Sequence, residues 1–146
     1  MGLVGSYVLI LYGNPVYKKE NTIYGIFFLF IASIQFMDFL FWIDLSNALG
    51  INYITSLIGP LLNVGQPLIL YLVKLLISKD SSPYGNTVAV FNGFYLLYII
   101  KMYSTFISSG DILTTVKHGH LSWSWIKYSN PLFYLLLTAI NIFVIM

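Results

Sequence analysis

The chain has 146 residues, 58% hydrophobic and 8% charged, with a mean hydropathy of +0.83. A soluble domain carries about 25% charged residues, and one of this size has too little interior to hide so much apolar surface, so composition excludes an ordinary water-soluble domain. The net charge of +2 rests on lysines alone; with no arginine and no basic block there is no nucleic-acid footprint, and the lack of cysteine excludes disulfides and thiolate chemistry.

Five apolar segments follow one another. LVGSYVLILY (3–12) is short for a span. It lacks the basic start and small-x-small cleavage site of a signal peptide. The connector GNPVYKKENT (13–22) has turn chemistry, and Asn21 or Thr22 is the expected cap of the next helix. IYGIFFLFIASIQFMDFLFWI (23–43), ITSLIGPLLNVGQPLILYLVKLL (54–76) and TVAVFNGFYLLYIIKMYSTFI (87–107) each reach the roughly 20 residues that cross a hydrocarbon core of about 30 Å. SKDSSPYGN (78–86) is a second turn-rich connector. Asn130-Pro131 reads as a cap followed by proline at the first helical position, opening PLFYLLLTAINIFVIM (131–146). The first and last segments are tilted, thinned or interfacial spans, or the chain is part of a longer multipass protein. Barrel strands alternate apolar and polar residues over about ten positions, and these runs do not. The expectation is an all-α integral membrane helical bundle of about five transmembrane helices, in a single domain (1–146).

The lysines set an orientation. Lys18, Lys19 and Lys79, with Lys74 near enough to snorkel, fall on one side, and Lys117 and Lys127 on the other. The positive-inside rule puts 13–22 and 78–86 in the cytoplasm and the N-terminus outside.

Polar residues inside the spans are the candidates for function. Gln35, Asp38 and Trp42 share one face of a helix. A charge inside a span normally faces the bundle interior and has a partner. At similar depth on the antiparallel spans lie Asn63 and Gln66, Lys101, and Asn141 with Thr138. The expectation is a polar layer with Gln35 against Asn63 and Asp38 against Lys101. The alternatives are interhelical glue and a wet interface marked by Trp42. GPLLNVGQP (59–67) places Pro60 and Pro67 inside a span, where freed carbonyls either form a solute site or simply follow a packing kink.

KHGHLSWSW (117–125) carries His118, His120, Trp123 and Trp125. Two histidines are too few for a metal site. The tryptophans are expected in the interfacial aromatic belt with Tyr128. No GxSxG, HExxH, P-loop or GxGxxG motif occurs. Ser122, His120 and Asp111 form only a chance trio, and Lys101 as a retinal-linking lysine has no further support. No enzyme, cofactor or metal is expected.

The stretches IQFMDFLFW (34–42), SLIGPLLNVGQPLIL (56–70) and GHLSWSW (119–125) resemble small uncharacterised multipass membrane proteins of large DNA viruses of algae and protists. The shared features are a Q-x-x-acid-x-x-x-W stretch, an N-x-x-Q-P stretch and an H-L-x-W-x-W loop. The resemblance covers roughly residues 13–128 and implies a viral origin and a membrane setting, but no activity. The expected function is a structural or accessory role in a viral or host membrane. The alternative is a small oligomeric channel or carrier for an ion, proton or small solute; a membrane enzyme using His118 or His120 is a third class without support. The expected partners are the lipid bilayer and a homo-oligomer or larger membrane assembly.

Overall fold

The computed structural model describes residues 2–77 and 84–145. Lys79, on which part of the orientation rests, lies outside the described residues. The described chain forms five α-helices and a small β-hairpin: α1 (Gly2–Tyr12), α2 (Lys18–Ile43), α3 (Ile51–Ile77), α4 (Gly85–Ser108), β1 (Thr115–Lys117), β2 (His120–Ser122) and α5 (Pro131–Ile145). Among the described residues three helices are long and apolar enough to cross a membrane: α2 with the turn before it, α3 and α4. α1 and α5 are shorter apolar helices.

Helix α2 begins earlier than its composition suggests. Asn14 accepts a 2.9 Å bond from the Val16 amide, and Pro15 opens a 3₁₀ turn that runs directly into Lys18. Asn21 and Thr22, expected as caps, therefore lie inside the first turns. Asn21 bonds back to the Asn14 carbonyl, and Thr22 to the Lys18 carbonyl. The short link makes α1 antiparallel to α2. Gly25 allows their close approach: a Cβ there would stand 2.5 Å from Ile10 and 3.2 Å from the Ser6 carbonyl.

Helix α3 is the shared element, packing on α2, α4 and α5, while α2 otherwise packs on α1 and α4 on α5. One core joins α2 to α3 through Ile23, Phe27, Leu70 and Val73. The other joins α3, α4 and α5 through Val64, Tyr95, Ile99, Met102, Phe106 and Leu137, closed at one end by Trp125. Many large apolar side chains stay outside these cores, including Phe36, Phe39, Phe94, Leu97 and Phe143.

The segment between α4 and α5 folds instead of trailing as a loop. β1 pairs with β2 in the register Thr115↔Ser122, Val116↔Leu121 and Lys117↔His120. His118 and Gly119 form a two-residue turn, both with positive φ (51° and 76°), as a type I′ turn demands. Asn130 then accepts from the Leu132 amide at 3.0 Å and Pro131 opens α5, as the sequence predicts.

Candidate functional site

Among the described residues, buried polar side chains gather in two knots, and other polar side chains line a pocket. The first knot sits where α3 begins. Asp44, just past α2, turns its carboxylate onto the amides of Leu49, Ile51 and Asn52, at 3.2, 2.8 and 3.4 Å. A carboxylate at a helix N-terminus meets unpaired N–H groups and the positive end of the helix dipole. Burial raises the Asp44 carboxyl, but the backbone N–H groups outweigh it and hold the group below its ordinary range. Behind it, Asn52 donates to the Thr114 carbonyl at 2.9 Å and accepts from the Thr114 amide and the Ser56 hydroxyl. Ser56 and Thr114 also join their hydroxyls at 2.9 Å. All four side chains are buried. This knot docks the strand-bearing segment onto α3.

The second knot joins α3, α4 and α5. Asn92 donates to Asn141 at 2.9 Å and Asn141 returns a bond at 3.1 Å. Asn141 also donates to the Pro67 carbonyl at 2.8 Å, and Asn92 to that of Val88. Both asparagines are buried. One turn away, the Tyr95 hydroxyl donates to the Val64 carbonyl at 2.8 Å. Proline removes a helical N–H and distorts the turn before it, and Asn141 and Tyr95 hydrogen-bond to α3 backbone at Pro67 and Val64. Pro60 is buried in the same helix.

The pocket lies between α3, α5 and the 3₁₀ segment Ser124–Tyr128, with a volume of about 390 Å³. Asn63, Gln66, Tyr98, Trp125 and Tyr134 line it. Tyr134 donates to Gln66 at 2.6 Å, and Asn63 uses its amide nitrogen on the Gly59 carbonyl at 3.1 Å. The pocket therefore offers amides and phenols without net charge, suited to a neutral hydroxyl or amide group.

The expected polar layer is not assembled within the chain. The face bearing Gln35, Asp38 and Trp42 does not point into the bundle: Gln35 and Trp42 are exposed and Asp38 is half-buried. Lys101 is exposed on α4. Asp38 and Lys101 form no ion pair, and α2 and α4 share at most a marginal contact because α3 is the neighbour of both. Asn63 and Gln66 serve the pocket, and Asn141 the second knot.

The tryptophans of the loop pack against the bundle. Trp125 is buried, stacked on Trp123 with ring centroids 5.6 Å apart, and Trp123 and Tyr128 pack on the same core. A Cβ on Gly59 would stand 3.8 Å from Phe41 and 4.0 Å from the Trp125 indole nitrogen, so the indole closes the bundle. His118 and His120 are exposed at the hairpin turn. Asp111 pairs with Lys127, whose ammonium its hydrogen bond holds above the ordinary range. Asp111 and Ser122 line one shallow pocket, but the Asp111 carboxylate is paired with Lys127, and no hydrogen bond joins Asp111, Ser122 and His120.

Residues missed from sequence were Asp44, Asn52, Ser56, Asn92, Thr114 and Tyr134. Asn92 had a signal, being the sole amide in the fourth apolar run. Asn52 and Ser56 also had one, as a polar pair at i, i+4 opening a helix. No protein-family model matches the sequence, and neither the curated proteins nor the solved structures show a significant match to it.

Proposed function

We propose that the protein is a multipass integral membrane protein with a structural or accessory role, and that its buried polar residues act as glue between helices. The observation that carries this reading is closure. Asn92, Asn141 and the Pro67 carbonyl satisfy one another, as do Asn52, Ser56 and Thr114, and no buried side-chain nitrogen or oxygen of these residues is left without a hydrogen-bond partner. Lipid is the matching solvent for the exposed Phe, Leu and Ile side chains of α2, α4 and α5. The resemblance to viral membrane proteins adds a viral or host membrane as the setting.

The test has two steps. Membranes from expressing cells are washed with alkaline carbonate, and the purified protein is then reconstituted in liposomes for ion-flux assays. Retention in the pellet without flux supports the reading. Release by carbonate refutes the integral membrane assignment, and flux through the wild-type protein refutes the accessory role.

A carrier is the second reading, favoured by the pocket beneath Trp125. It requires Gln66→Leu to abolish uptake of a neutral solute while insertion is unchanged.

A further inference from the structure

Asp38 and Lys101 are the only charged residues within their apolar runs, 23–43 and 87–107. Asp38 is half-buried, Lys101 exposed, and neither side chain has an ion-pair partner among the described residues. Charged groups in a span are costly and normally pair with one another.

Their depths match. The short connections make α2 and α4 run in the same direction, each antiparallel to α3. Asp38 lies five residues before the end of α2 and Lys101 seven before the end of α4. At 1.5 Å per residue these positions are about 8 and about 10 Å from the same face, level to within about 3 Å. Gln35, one turn deeper on the Asp38 face, is also exposed. Its short amide cannot reach the interface as a lysine can, so it too calls for a partner in the same plane.

We propose that the partner is a second copy of this chain: the Gln35–Asp38 face of α2 in one copy packs on the Lys101 face of α4 in the next, with Asp38 paired to Lys101. The two faces differ, so the contact is heterologous and repeats head to tail. The inference rests on the membrane reading above.

The chain contains no cysteine, which leaves a clean background for cross-linking. Gln35→Cys with Leu97→Cys places thiols one turn deeper on the two faces while keeping both charges; Leu97 is exposed. Oxidation in carbonate-washed membranes is expected to yield a ladder of covalent multimers that neither single cysteine gives. Adding Asp38→Lys or Lys101→Asp alone sets like charges opposite each other and is expected to cut the ladder at least about tenfold. The two charge changes together are expected to restore it. A monomer only, or ladders equally strong in all charge variants, overturns the proposal. Loss of the parent from the carbonate pellet overturns the membrane reading, and this pairing with it.

Discussion

Replacing Asn141 with leucine probes the second knot most directly. The change roughly keeps side-chain volume and removes three hydrogen bonds, two shared with Asn92 and one to the Pro67 carbonyl. In the proposed membrane setting, interhelical hydrogen bonds average about 0.6 and reach about 1.7 kcal/mol, so the three sum to about 2–5 kcal/mol. Asn92 keeps its bond to the Val88 carbonyl, but its own side-chain oxygen is stranded. Leucine regains some apolar packing, which places Asn141→Leu near the lower part of that range, at about 2–3 kcal/mol. Asn92→Leu with Asn141→Leu removes the stranded group as well, so the double variant is more stable than the sum of the singles by about 1–2 kcal/mol. The assay is reversible unfolding in mixed micelles by added dodecyl sulfate, followed through tryptophan fluorescence. Single effects that add to within about 0.5 kcal/mol would refute the reciprocal pair.

Three further outcomes are expected. The Asp44 carboxyl has a depressed folded pKa, so its contribution is full above the unfolded value of about 3.9 and is lost as pH falls through the folded one. Asp44→Ala should therefore be less stable at neutral pH and show a flatter acid-unfolding limb; superimposable acid curves would count against the cap. Gly25→Val drives a side chain into Ile10 and the Ser6 carbonyl, an overpacking cost of about 1–3 kcal/mol that lifts α1 from α2. Limited proteolysis within residues 13–17 should then speed up, and unchanged cleavage would argue that the helices are not so close. Gly119→Val puts a branched residue at φ 76°, costing about 1–2 kcal/mol or more. Amide exchange across Thr115–Ser122 should rise about tenfold, and unaltered protection would remove the type I′ turn from the argument.

The helices were legible because a long apolar run has few alternatives. Helices α3 and α4 begin and end within a few residues of the apolar runs 54–76 and 87–107. The start of α2 was misjudged because Asn14 and Pro15 feed a 3₁₀ turn straight into Lys18, leaving no gap for a cap at Asn21 or Thr22. The hairpin was hidden by its brevity: three residues a side give little alternation to read, and His-Gly is a weaker turn signal than Asn-Gly. The site was less legible than the fold. Sequence spacing places Gln35, Asp38 and Trp42 on one face, but not which neighbour that face meets. That depends on α3 packing against α2 on one flank and α4 on another. Asn141, expected at the depth of Asp38, pairs instead with Asn92, nearer the opposite end of α4, a depth that spacing along one helix does not reveal.

The chemistry of the side chains separates inward from outward polar residues. An asparagine carries both a donor and an acceptor, so two of them close on each other without charge, as Asn92 and Asn141 do. Such a pair can be buried and satisfied within one chain. A carboxylate and an ammonium are each half of a pair. They close only if the fold brings them together, and α3 holds Asp38 and Lys101 on separate helices. If the chain spans a membrane as proposed and the two charges served only the single chain, apolar residues there would spare the cost of placing charge in lipid. Their similar depth and opposite sign acquire a physical reason once the proposed neighbouring copy supplies the missing half. Outward residues with the same depth and sign on both helices would have given no such reason, because like charges meeting across copies repel.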